Sequence, residues 1–158
     1  MNAMQLTVKT SKPFIYNNVP YHEGLLRINE FEESFVLPLD NWTLGDYQQQ
    51  WIEGLERIHF DTTSCIVTAV QDPSIRPLIN WWILYKHHNK IYVRNELLFS
   101  HYYFAIVGHD LFTPQNCYEF IGSRQHYFEE TINVAEWVID ITADTYDHPL
   151  NLHRRYFA

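Results

Sequence analysis

Apolar residues recur at Leu44, Tyr47, Trp51, Leu55 and Ile58, at spacings of three, four, four and three. That spacing draws one stripe down a helix. Thr43 followed by Asp46 is a capping-box pattern, in which the hydroxyl accepts from a free backbone N–H of the first turn and the carboxylate reaches back to the Thr43 N–H. Trp42 and Tyr47 fall where a hydrophobic staple would fix the approach of the chain. Asp46 and Arg57 both suit the helix macrodipole, whereas Gly45 and Gly54 each weaken the helix by roughly 1 kcal/mol relative to Ala. Packing has to offset that loss. The pattern predicts one principal amphipathic helix over about 43–59, seated on a sheet.

The rest of the chain alternates as strands do. Residues 13–39 read as short extended pieces with turns near Asn17, Asn18 and Gly24, and Phe35, Val36 and Leu37 lead into the helix. SCIVTAV, residues 64–70, is an apolar β-rich run, broken by the two prolines of QDPSIRP at 71–77. A hairpin is predicted next, from Leu78 to His87, a turn at His88 and Asn89, then Lys90 to Asn95. Trp81, Ile83 and Tyr85 point one way and Trp82 and Leu84 the other. A strand apolar on both faces is expected at the centre of its sheet, covered on each side, with the helix as the obvious cover. Residues 96–112 fit a helix or a strand pair equally. Thr113 and Pro114 suit the start of a second, short helical turn, after which YEFIG returns to strand. In residues 134–142, Ala135, Trp137, Ile139 and Ile141 form an apolar face opposite Glu136 and Asp140, as in a half-buried strand with an acidic outer side. The predicted class is α+β, a mostly antiparallel sheet with one principal helix and room for a second short one.

Composition narrows what such a fold does. A chain of 158 residues buries roughly two thirds of its unfolded surface without staples. Cys65 and Cys117 are therefore expected to be reduced and structural. The opening MNAMQLTVKTSKPF lacks an apolar signal core, and no run approaches the ~20 apolar residues of a membrane span. A cytoplasmic protein without a membrane partner is expected. A net charge of −8 argues against binding nucleic acid, which needs clustered Lys and Arg. The charge is also sectored. Glu30, Glu32, Glu33, Asp40, Asp46, Glu53 and Glu56 lie between Arg27 and Arg57 with no basic residue among them, and Glu129, Glu130, Glu136, Asp140, Asp144 and Asp147 lie between Arg124 and Arg154. A more basic middle carries Arg76, Lys86, Lys90 and Arg94. Solvated faces of an acidic protein would explain this, as would a landing surface for a basic partner.

Catalytic chemistry finds little support. The nine histidines match no metal-binding spacing, and five glycines form no phosphate-cradling loop. His87 and His88, adjacent in a strand, would sit on opposite faces. His109 beside Asp110 and His22 beside Glu23 are the candidate acid/base pairs, and adjacency alone is weak support for either. No catalytic residue, metal or cofactor is expected, and function is sought in a surface.

The order N-W-T-L-G-D-Y-Q-Q-Q-W-I-E-G-L at Asn41 to Leu55, S-C-I-V-T at Ser64 to Thr68, W-W-I-L-Y with I-Y-V-R-N-E-L-L at Trp81 to Leu98, and A-E-W-V-I at Ala135 to Ile139 resembles the immunity proteins of bacterial contact-dependent growth inhibition systems. The likeness spans roughly residues 35–140 and rests on apolar and structural landmarks. It implies one immunity-protein domain over residues 1–158 that binds the cognate C-terminal toxin domain as a heterodimer and protects by occlusion. Many such toxins are nucleases, often acting on tRNA, and an acidic inhibitor suits their basic clefts. The alternative is an acidic adaptor or chaperone-like module for another basic protein.

HYFEETIN, residues 126–133, sets Tyr127 and Phe128 beside Glu129 and Glu130, with Asp140 and Asp144 following. Aromatic anchors among carboxylates have the make-up of an interface centre. Tyr127, Phe128, Glu129, Glu130, Asp140 and Asp144 are thus the expected toxin-binding residues. Glu30, Glu32 and Glu33 compete, but FEESF alternates as an ordinary half-exposed strand does.

Overall fold

The computed structural model describes residues 4–10, 12–71, 78–99, 112–124 and 136–141. Its strands form two antiparallel sheets rather than one. The first holds β1 (Met4–Val8), β2 (Phe14–Tyr16), β3 (Val19–Ile28) and β4 (Phe31–Pro38), with β1 and β2 paired to successive parts of β3 and with β4 also paired to β3. The second runs in the order β5 (Thr63–Val70), β6 (Leu78–His87), β7 (Lys90–Phe99) and β8 (Glu136–Asp140). The helix α1 (Leu44–Arg57) connects them.

Turn chemistry explains the hairpins. Asn17 and Asn18 both adopt positive φ, 50° and 64°, as a two-residue type I′ connection requires, and Asn pays the least for it after Gly. Gly24 is not a turn. It lies within β3 opposite Phe35, where a Cβ would stand 2.5 Å from the Phe35 ring. The glycine is there to let an aromatic ring lie against the strand.

β6 is central, between β5 and β7, and covered on both faces as its pattern predicts. On one face Trp82, Leu84, Ile91 and Ile139 are buried in a common core with Leu6, Leu26, Ile28 and Leu37 of the first sheet, and the Phe31 ring meets Trp82 and Trp137 at 6.5 and 4.6 Å. On the other face lie Cys65, Trp81, Ile83 and Tyr85. Phe112 packs against Trp81 at 5.8 Å and Trp42 at 5.9 Å, and the 3-10 turn Cys117–Phe120 sets Cys117 against Cys65. The covers are thus the first sheet and residues 112–124, and α1 lies along β5 instead. YEF of the YEFIG stretch belongs to the 3-10 turn and not to a strand, because Thr113 and Asn116 cap each other reciprocally at 2.7 and 3.1 Å and start a helical turn. Of the ambiguous stretch, residues 96–99 continue β7 and Phe112 is the hub just described. Residues 100–111 lie outside the described residues.

Thr43 is the N-cap of α1, and the capping box with Asp46 is complete at 2.9 and 3.1 Å. The staple is present too, with the Trp42 and Tyr47 rings 5.2 Å apart. No helix among the described residues is long and apolar enough to cross a membrane.

Candidate functional site

Three surfaces invite a functional reading: the edge of β5, the ionic cluster near β8, and the outward face of α1. The β5 edge is closed from within. Gln50 donates from Nε2 to the Cys65 carbonyl and accepts at Oε1 from the Val67 N–H, both at 2.8 Å. Its amide thus bonds as a neighbouring strand's peptide would. Trp51 Nε1 donates to the Val67 carbonyl at 2.7 Å. A bulge between Val67 and Ala69 then shifts the register, so that the Val70 N–H is the next group to face α1. The Tyr47 hydroxyl accepts from it at 2.9 Å and donates to the Pro38 carbonyl at 2.7 Å. One phenol thereby links the two sheets. Burial pushes that phenol well above its ordinary pKa, against the smaller lowering effect of the Val70 hydrogen bond, so it stays neutral. Gly54 permits the approach, since a Cβ there would lie 2.3 Å from the Cys65 carbonyl oxygen. This edge presents no free strand to a partner.

The second surface holds the described part of the expected site. Tyr127, Phe128, Glu129, Glu130 and Asp144 lie outside the described residues. Asp140 ends β8 with its side chain half exposed and 4.0 Å from Lys90 Nζ. Glu136 does not belong to a solvated acidic face. It shares a sheet face with Arg94 and Ile83, where Arg94 Nε donates to Oε2 at 2.6 Å and Arg124 donates to both oxygens, at 3.0 Å from Nε and 2.8 Å from NH2. Arg94 is only 3% exposed, so pairing was to be expected of it. Arg124 also lies over the Tyr92 ring at 3.7 Å. Burial alone would raise the Glu136 pKa, but the hydrogen bonds from Arg124 and Arg94 outweigh it and hold the carboxyl below its ordinary value. The same fork joins the two residues flanking 125–135, the stretch with most of the expected contact residues.

The acid/base and metal candidates resolve differently. His22 is buried with Nδ1 3.2 Å from the Thr10 hydroxyl and carbonyl, while Glu23 pairs with Lys9 at 3.1 Å. The two do not form a dyad. His109 and Asp110 lie outside the described residues. His87 and His88 are not on opposite faces, because His88 turns to φ 54° at the hairpin and the rings come within 4.1 Å. Among the described residues no three His, Cys, Asp or Glu side chains are grouped to hold a metal ion. Cys65 and Cys117 are buried free thiols 3.7 Å apart, and burial, with the Cys117 contact, pushes the Cys65 thiol up.

Sequence reasoning passed over the outward face of α1. Gly45, Gln49, Ile52 and Glu56 are exposed along it, and Phe60 follows one turn later at 87% exposure. The available signal was that Ile52 and Phe60 are apolar yet fall off the buried stripe.

Two antiparallel sheets joined through an edge-sealing helix define the class, and comparison with known proteins gives it a family. A family model described as the CdiI N-terminal domain matches residues 37–144, and the chain belongs to that family. It is 32% identical over 127 residues to the immunity protein CdiI of Enterobacter cloacae subsp. cloacae, a match covering 78% of this chain and 83% of that relative. Its fold also matches a chain of the solved CdiA-CT/CdiI toxin and immunity complex from Enterobacter cloacae, with a TM-score of 0.69 and 27% identity over 86% of this chain and 89% of that one.

Proposed function

We propose that this chain is a non-enzymatic immunity protein that binds the C-terminal toxin domain of a contact-dependent growth inhibition system in the cytoplasm and neutralises it as a heterodimer. The observation that carries this reading is the likeness in sequence and fold to a protein solved in a toxin and immunity complex. The net charge of −8 supports a further step, that the toxin is a nuclease with a basic cleft, and tRNA is the first substrate to assay. Steering between oppositely charged surfaces raises association rates by about 10- to 1000-fold at low salt.

The test is co-expression with the toxin domain encoded next to this chain. Cells carrying both should grow, cells with the toxin domain alone should stop, and failure of rescue sinks the reading. The nuclease step is checked separately by incubating the purified domain with tRNA, total RNA and DNA, where cleavage should stop at one equivalent of this chain. Intact nucleic acid at toxin doses that arrest growth would remove that step. Raising salt should lower the association rate steeply with a smaller change in dissociation, and a flat association rate would remove the electrostatic argument.

A further inference from the structure

The geometry points to the outward face of α1 and the turn after it as the surface that docks the toxin domain, with Phe60 as its anchor and a basic, apolar-pocketed surface as its counterpart. This rests on the function proposed above and differs from the 126–133 stretch expected from sequence.

The inference begins with charge. Both described carboxylates of the second acidic sector already have cationic neighbours: Glu136 is held by Arg94 and Arg124, and Asp140 lies by Lys90. In the first sector Glu32 pairs with Arg27. Glu30 and Glu33 take part in no ion pair among the described residues, and α1 adds to them. Among the described residues Glu53 and Glu56 take part in no ion pair, and the sequence from Leu44 to Glu56 contains no Lys or Arg. Arg57 turns away to lie over the Tyr118 ring at 4.2 Å, 3.6 Å from Asp61. Glu56 is exposed on the outward face and Glu53 is half-buried beside it, so α1 carries net negative charge there. A charged face of that kind complements a basic partner.

Phe60 stands at the end of this face. It is the most exposed large apolar side chain among the described residues, and its backbone is fixed. The N–H groups of His59, Phe60 and Asp61 donate to the carbonyls of Glu56, Arg57 and Arg57 at 3.1, 3.0 and 2.9 Å. Next to the turn, Lys86 donates from its backbone to the Thr62 carbonyl and from Nζ to that of His59. On a fixed backbone an aromatic side chain has only two torsions to lose on binding. Ile52, two turns back on the same face and 41% exposed, continues the apolar element with Glu56 between. An aromatic anchor with exposed Glu56 one turn before it combines contact energy with a charge that selects the partner. Because the inner face of α1 seals β5, this surface rides on a rigid element.

The test is the affinity of the purified chain for the adjacent-gene toxin domain, carrying a substitution that abolishes its toxicity. Phe60→Ala should weaken binding by about 30-fold or more with an unchanged melting temperature, and Phe60→Trp should stay within a few-fold of the parent. Glu56→Lys should lower the association rate more than it raises dissociation. Binding by Phe60→Ala within two-fold of the parent overturns this surface while leaving the proposed function intact. Absence of binding by the parent chain sinks both. Sedimentation of the chain alone separates one other occupant: a self-association abolished by Phe60→Ala, with toxin affinity untouched, would assign the surface to a second copy and also overturn the proposal.

Discussion

The two flanks of the second sheet are secured by opposite means. Along β5 the unpaired backbone groups are met by Gln50, Trp51 and Tyr47, all fully buried and all neutral. Toward β8 the strands are tied by one carboxylate and two guanidinium groups, of which Arg124 and Glu136 are a quarter and a fifth exposed. A buried neutral hydrogen bond is insensitive to salt and to pH in the ordinary range, and its loss leaves a desolvated partner behind. An ion pair partly in water is screened, and it vanishes when its carboxyl is protonated. The helix flank is therefore the structural constant, and the ionic flank the one that conditions can loosen.

Trp51→Ala should break the stronger flank. The ring is fully buried, meets Phe35 edge-on at 5.9 Å and satisfies Val67, so its removal costs about 3–5 kcal/mol. Chemical denaturation and the yield of soluble protein read this. A variant that stays fully folded but no longer protects against the toxin would move Trp51 from the core to the contact surface. Gln50→Leu isolates the edge-sealing role from volume, because the size is kept and only the amide is lost. Leaving the Cys65 carbonyl and the Val67 N–H without that partner should cost about 2–4 kcal/mol. A neutral result in urea melts would mean that water satisfies the edge and that α1 merely lies beside it.

How much of this was legible varies with the physics involved. The helix was readable to its cap because stripe, capping box and staple are local and agree with each other. The central position of β6 was readable from its two apolar faces. The division into two sheets was not, since strand pairing depends on contacts far apart in sequence. Gln50 sits in a run of three glutamines, and only its place between Tyr47 and Gly54 on the inner face marked it. By propensity Gly54 weakens the helix, whereas its missing side chain is what lets the helix reach β5. Alternation puts Glu136 on an outer side, because it gives the face of a strand but not what lies across from it. Arg94 and Arg124 reach Glu136 from 42 and 12 residues away. Of the six residues expected to touch the toxin, the described structure places Asp140 alone, and Ile52 and Phe60 lie off the buried stripe and outside the expected acidic loop.

Gly54→Ala sets helix propensity against fit. In an open helix the change would stabilise by about 1 kcal/mol, but here the new methyl would collide with the Cys65 carbonyl, a backbone atom that cannot swing aside. A net loss of about 1–3 kcal/mol is expected. A gain in melting temperature would show that α1 and β5 are free to move apart.

The smallest effect should come from Glu136→Gln, which keeps the shape of the side chain and removes its charge. A wholly buried pair would lose more, but exposure of Glu136 and Arg124 discounts the cost to about 1–2 kcal/mol at pH 7. The pH dependence is the sharper reading. Because the folded carboxyl titrates below its ordinary value of 4.5, folding is stabilised by its charge above that pH, and the stabilisation fades as pH falls through the lower folded value. The gap between parent and Glu136→Gln in urea melts should accordingly narrow from pH 5 toward pH 3, while the penalty of Gln50→Leu stays constant over the same range, since no group it touches at the β5 edge titrates there. If both penalties narrow together, acid is loosening the whole sheet and the two flanks are not independent. If neither narrows, Glu136 acts through the shape of its hydrogen bonds and not through its charge.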